Sequence, residues 1–156
     1  MTDKEVLAEL SDFHVLALTL WGEARGEELE GRVAVGCVIR NRVIVPQFPD
    51  TIKDVCLQPW QFSCWRPEGG GENYRLVISL AHRLTENDAV KSTIPTDAIW
   101  LETLWLTEGL MNGIVRDRIG GANHYLTRTL WETAPPKWTQ GQRPVAFVQR
   151  HVFFKL

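Results

Sequence analysis

Leu16-Ala-Leu-Thr-Leu-Trp-Gly-Glu-Ala-Arg-Gly-Glu27 runs almost wholly apolar as far as Gly22 and then turns abruptly charged. With Phe13, Leu16, Leu20 and their neighbours apolar, and Ser11 or Asp12 available as a cap, the stretch predicts a buried helix that Gly26 would stop. Glu23 then falls in the last turn of that helix. A helix C-terminus already carries partial negative charge, so a carboxylate there is poorly placed for an ordinary surface role. Two readings of Glu23 follow: a helix-end carboxylate paired with Arg25 or another basic group, or an acid kept for chemistry.

Working outward, Thr2-Asp-Lys-Glu5 fits a capping box and opens a short helix to about Leu10. On the other side, the segment from Glu28 to about Val43 gathers Val33, Val35, Val38 and Ile39, which by themselves favour a strand. Its length decides for a helix of about 24 Å at ~1.5 Å per residue, and the acids Glu27, Glu28 and Glu30 suit the positive end of such a helix. From Pro46 to Gly71 the composition reads as loop with one helical turn around Thr51 to Leu57. Val77, Leu80, Ala81 and Leu84 mark one helix face, with Asn73 as its cap, and Thr96 can cap a further helix from Asp97 to about Met111. The tail from Gly120 to Leu156 predicts irregular structure with one or two short strands.

A chain of 156 residues, 44% hydrophobic and 23% charged, suits a single domain spanning residues 1–156. A net charge of −2 with scattered Lys and Arg argues against nucleic acid as a partner. Three cysteines do not make a disulfide framework, although one Cys56–Cys64 bridge stays open. No stretch reaches the ~20 apolar residues of a membrane span, so no membrane insertion is expected. The N-terminal residues lack a basic flank and a small-residue cleavage site, so synthesis in the cytoplasm without a signal peptide is expected.

Three polar and aromatic clusters remain: Trp21 to Glu27, Trp60-Gln-Phe-Ser-Cys-Trp65, and Gly120-Gly-Ala-Asn-His-Tyr125. A glycosidase needs an acid for the leaving oxygen, aromatic faces for sugar rings, and amides or hydroxyls to fix the substituents. The clusters supply that inventory, but Trp60, Phe62 and Trp65 serve equally as packing under a loop, and His124 and His151 as structural histidines. No HExxH or paired CxxC spacing supports a zinc site, and no metal or cofactor is expected.

Taken in order, these stretches resemble the SleB/CwlJ-type cell wall hydrolase family. Trp21-Gly-Glu-Ala-Arg-Gly-Glu27 is similar to its EARGE signature, and Gly31 to Arg42 to its helix ending in an asparagine-arginine pair. Phe48 to Val55, Gln61-Phe-Ser63, Gly121-Ala-Asn-His-Tyr125, Pro136-Lys-Trp138 and His151-Val-Phe153 resemble its later motifs, so the family-like core covers about residues 12–154. The resemblance implies a mostly α, lysozyme-like single domain of the goose-type lysozyme and lytic transglycosylase kind, with irregular loops and at most a small β element. It further implies cleavage of peptidoglycan glycan strands by a monomer, with Glu23 as the catalytic acid. Gln61, Phe62, Ser63 and Trp65 would bind substrate on one side of a groove, with Asn123, His124 and Tyr125 on the other. Asn123 stands where the family often has threonine. That departure, and the lack of a leader and of wall-binding repeats, fits a phage or prophage lysis protein that reaches the wall after release by a holin-type partner.

A general acid must hold its proton near neutral pH, whereas a free Glu titrates near ~4.3, so Glu23 would need desolvation by neighbours such as Trp21 or Phe62. A lytic transglycosylase needs only that one carboxylate. A hydrolytic lysozyme wants a second one about 5 to 9.5 Å away, and Glu27, Asp54 and Asp117 are the candidates. The rival from another class is a catalytically silent glycan-binding or virion structural protein.

Overall fold

The computed structural model describes residues 1–86 and 97–156. Its organising element is the quoted stretch: after α1 (Asp3–Glu9), the helix α2 (Asp12–Ala24) runs through the centre, with Val15, Leu16, Ala17, Leu18, Leu20, Trp21 and Ala24 all buried. A helix apolar on every side is stable only when surrounded. Four helices surround it: α3 (Leu29–Val43), α4 (Ile52–Leu57), α5 (Gly71–Thr85) and α6 (Ala98–Met111). Full burial of each Leu or Val on α2 stabilises by roughly 1.5–3 kcal/mol, an upper figure because an unfolded chain is already partly collapsed.

Most predicted helix starts hold. Thr2 and Glu5 form the reciprocal capping box, Ser11 accepts from the His14 N–H, and Thr51 accepts from the Asp54 N–H. The β-branched run of α3 is helical because Val35, Val38 and Ile39 are buried among other helices and Val33 packs partly against the same core, where packing outweighs local preference. Gly36 lets α6 come close: a Cβ there would lie on a methyl of Leu110.

Other expectations need correction. Gly26 does not stop α2; Arg25 is the C-cap, in right-handed helical geometry, and its guanidinium bonds the Trp21 and Gly22 carbonyls instead. Nor does Asn73 cap α5. It lies inside the helix, donating to the Gly22 carbonyl at 2.8 Å and accepting from Arg25 at 2.6 Å, so it ties α5 to the end of α2. The cap expected at Thr96 lies outside the described residues, and Asp97 caps α6 by accepting from the Trp100 N–H. Cys37, Cys56 and Cys64 are buried free thiols, so the Cys56–Cys64 bridge does not form.

The tail is more regular than predicted. β1 (His124–Thr127), β2 (Ala146–Val148) and β3 (His151–Phe154) make an antiparallel sheet in the order β1-β3-β2, and α7 (Arg128–Thr133) follows β1. Leu126, Val152 and Phe154 form a small second core under Trp131 and Trp138. The register pairs Tyr125 with Phe153 and Thr127 with His151. Two short stretches distant in sequence thereby present His124, Tyr125 and His151 together. Among the described residues, no helix is long and apolar enough to cross a membrane.

Candidate active site

Glu23 is half-buried in the last turn of α2, with its side chain toward a 3-10 turn at Ser63–Trp65. Its Oε1 accepts the Cys64 N–H at 2.9 Å and lies 3.4 Å from the Ser63 hydroxyl. Among the described residues nothing donates to Oε2. Arg25, the partner of the bland reading, is held elsewhere by Asn73 and two carbonyls. The Cys64 thiol is pushed well above its ordinary value, first by burial and then by the charge and hydrogen bond of Glu23. The turn can sit this close because residue 22 is glycine: a Cβ there would be 2.7 Å from that of Cys64.

The groups expected to desolvate Glu23 face elsewhere. The Trp21 ring lies under the Arg25 guanidinium, 4.3 Å from it, and packs edge-on against Trp100. Phe62 is 2% exposed and belongs to the core, so it offers no face to a ligand, a correction to its assignment as a groove residue. A phenylalanine between two polar loop residues reads as a platform in sequence, but the loop folds over it.

A cleft of about 360 Å³ is lined among others by Arg42, Gln61, His124, Tyr125, Trp138 and His151, and Glu23 is not among its lining residues. A depression of about 520 Å³ adjoins it, sharing Thr127 and His151 and reaching Glu27 and Arg150. Tyr125 links cleft and carboxylate. Its phenol is pushed up by burial first and then by Glu23, with Arg42 opposing and Cys64 and Glu27 adding, so it stays protonated. Its ring stacks on Phe153, centroids 5.7 Å apart. Among the described residues its hydroxyl has no hydrogen-bond partner, so it remains available as a donor. His124 sits between Phe48 and Trp138, and its pKa is lowered by burial and then by the Arg42 charge.

Of the predicted binding residues, then, Gln61, His124 and Tyr125 line the cleft and Ser63 stands beside Glu23. Asn123 does not reach the cleft: it is 1% exposed and clamps the chain end, donating to the Leu156 carbonyl and accepting the Leu156 N–H, at 2.9 and 3.0 Å. Trp65 gives its indole N–H to Thr19 at 2.8 Å and borders a separate depression with Trp60 and Arg66. Arg42, Thr127 and Cys64 were not anticipated in the site. The signal for Arg42 was a cation at the end of an apolar helix; backbone donation by Cys64 leaves no mark in a sequence.

The second-carboxylate candidates are engaged elsewhere or open to solvent. Both oxygens of Asp117 accept hydrogen bonds, from Asn41 and from the Gly121 N–H. Glu27 pairs with Arg150 at 2.5 Å, and Asp54 is exposed on α4. A further depression, about 550 Å³ beside Trp105 and Ile114, contains none of these groups. Among the described residues, no group of three or more His, Cys, Asp or Glu is placed to hold a metal ion.

Fold and site define a class: a helical, lysozyme-like domain with a half-buried glutamate at the end of its central helix and a cleft lined by aromatic rings. The chain belongs to the cell wall hydrolase family, whose model matches residues 26–154, beginning just past Glu23. It is 30% identical over 145 residues to the spore cortex-lytic enzyme of Bacillus cereus, covering 93% of this chain and 44% of that protein. To the enzyme of the same name from Halalkalibacterium halodurans it is 28% identical over 143 residues, covering 92% and 34%. The chain thus spans less than half the length of these curated relatives. Among solved structures it is similar to the catalytic domain of the germination-specific lytic transglycosylase SleB from Bacillus anthracis. There the TM-score is 0.60 at 26% identity, covering 94% of this chain and 98% of that one. The catalytic domain of Bacillus cereus SleB gives 0.58 at 26%, covering 92% and 89%.

Proposed function

We propose that this chain cleaves peptidoglycan glycan strands between N-acetylmuramic acid and N-acetylglucosamine as a lytic transglycosylase, with Glu23 as both acid and base. The observation that carries the reading is Glu23 itself: a carboxylate fixed through Oε1 by the Ser63–Trp65 turn, unpaired with Arg25, and free at Oε2. In the proposed reaction the Glu23 carboxyl protonates the glycosidic oxygen as the bond from the muramoyl C1 breaks. The muramoyl 6-hydroxyl oxygen bonds to C1, and its proton passes to the Glu23 carboxylate, which restores the acid. No water is consumed, and one carboxylate suffices. The engagement of Glu27 and Asp117 supports this route over hydrolysis through a second carboxylate. The SleB neighbour, a lytic transglycosylase by name, supports it too. Tyr125 supplies a protonated hydroxyl beside the reacting oxygens, and His124 and Trp138 supply rings along the cleft.

The test is digestion of purified peptidoglycan by the wild-type chain and by Glu23→Gln, with products weighed by mass spectrometry. Wild type should release anhydro-muropeptides, and the variant should lose roughly 10²- to 10⁴-fold in rate, about 3 to 5 kcal/mol of barrier. Products heavier by one water would make the chain a hydrolytic lysozyme. Equal cleavage by both proteins would remove Glu23 from the mechanism, and binding without cleavage by either would leave a glycan-binding protein.

A further inference from the structure

Among the described residues, Arg42 is a buried cation without a counter-ion. Only 5% exposed near the end of α3, it donates from Nε to the Asn123 carbonyl at 2.8 Å and from Nη1 to the Gln61 side-chain oxygen at 3.0 Å. The rings of Phe48 and Phe62 lie 4.8 and 5.6 Å from its guanidinium carbon. All four partners are neutral. Among the described residues no carboxylate lies within ion-pair distance of it, and Nη2 donates to nothing. Withdrawing a charge from water is costly unless another charge answers it, and an arginine fork matches a carboxylate in shape as well as sign.

The guanidinium lines the cleft together with Gln61, His124, Tyr125, Trp138 and His151. The neighbouring titratable groups leave its charge unanswered. His124 and His151 are held below their ordinary range, chiefly by burial, and so are neutral; the Tyr125 phenol stays protonated; and Glu27 is taken by Arg150. Glu23 acts electrostatically on Tyr125 but does not line the cleft, and its Oε1 is committed to the Ser63–Trp65 turn. The cleft therefore presents one fixed positive charge framed by aromatic rings.

We infer that Arg42 is a specificity residue whose free Nη2 receives a carboxylate carried by the muramoyl unit of the strand. This rests on the glycan-cleaving reading above and deepens it. The carboxylate has two sources in this polymer: the peptide stem, or the lactyl group once the stem has been removed.

Three substrates separate the cases: native strands, strands stripped of stems by an amidase, and native strands whose carboxylates have been converted to methylamides. Cleavage is read as kcat/KM for the wild-type chain, and binding as co-sedimentation of the Glu23→Gln chain. Methylamidated strands should be bound and cleaved at least ~10-fold less well than the better of the native and stripped strands, the scale of losing one charge-assisted contact. Stripped strands at least ~10-fold better than native and methylamidated ones alike identify the lactyl carboxylate, which native strands hold as an amide; stripped strands as poor as the methylamidated ones identify the stem. In Arg42→Met, checked for folding by its thermal transition, the ratio of the better carboxylate-bearing strand to the methylamidated one should fall to near one, while Arg42→Lys should keep part of it. If Arg42→Met does not fold, the substrate series decides alone. Equal binding and cleavage of native, stripped and methylamidated strands overturns the inference and leaves the glycan-cleaving reading standing. No cleavage of any strand, with binding that still discriminates, overturns that reading and upholds the anion site.

Discussion

Gly22→Ala tests whether the packing of α2 against the Ser63–Trp65 turn sets the geometry of Glu23. A Cβ at residue 22 would stand 2.7 Å from the Cys64 Cβ, 2.8 Å from a Val77 methyl and 3.0 Å from the Cys64 sulfur. Comfortable contact between such atoms is about 3.5–4.0 Å, so turn and helix must part by about 1 Å. Overpacking of this kind costs about 1–3 kcal/mol, and the better helix propensity of alanine returns about 1 kcal/mol. A net loss of up to about 2 kcal/mol lowers Tm by up to roughly 8 °C in a domain of this size and leaves the chain folded. The same movement carries off the Cys64 N–H, which now donates to Glu23 Oε1 at 2.9 Å. Activity on peptidoglycan should therefore fall at least ~10-fold, about 1.4 kcal/mol of barrier, while the protein remains native by circular dichroism. Gly26→Ala is the control, because a Cβ there meets nothing within 4 Å. Unchanged Tm would refute the packing argument; lowered Tm with full activity would refute the claim that the turn positions the acid.

Asn123→Ala should destabilise by about 1–3 kcal/mol, because it removes the acceptor of the part-buried Leu156 N–H, one of the two donors to the Leu156 oxygen and the contact with His124 Nδ1 at 2.8 Å, while kcat/KM of the folded protein should fall no further than in His124→Ala; a larger selective loss of activity would return Asn123 to the binding site. The three thiols should ignore a thiol reagent at pH 8 until the chain is unfolded, since burial pushes Cys56 up to about 12 and raises Cys37 and Cys64 also; rapid labelling of the native protein would contradict this. Burial lowers His14, His124 and His151 below 6.5, helped by Arg42 at His124 and by Arg150 at His151, where Glu27 opposes. The unfolded chain then takes up protons first as pH falls through 6.5. The stability these groups contribute is full above that value and is lost progressively below it, so Tm should drop between pH 7 and 5.5. Histidine titrations by NMR with midpoints at or above 6.5 would disprove that account.

Much of the fold and part of the site are legible in the chain itself. The run from Val15 to Trp21 has too few polar residues to face water on any side, so a central helix ending at Glu23 follows from composition and period. The capping residues Thr2, Ser11 and Thr51 announce their helices because the bonds they make span only three residues. The order of the EARGE-like stretch, the asparagine-arginine pair and the closing motifs likewise marks the family, because each is a local pattern.

What only the tertiary structure decided are contacts between residues far apart in the chain. Phe62 and Asn123 read as groove residues but lie in the interior, since which side of a loop faces inward depends on what it folds against. The three strands are too short to declare themselves and exist because β3 pairs on both edges. That Glu23 is held by Cys64, forty-one residues away, and that Arg42 is left without a counter-ion in a cleft, depends on long-range packing. Local preference is written residue by residue; the environment of a charge is set by every element that closes around it.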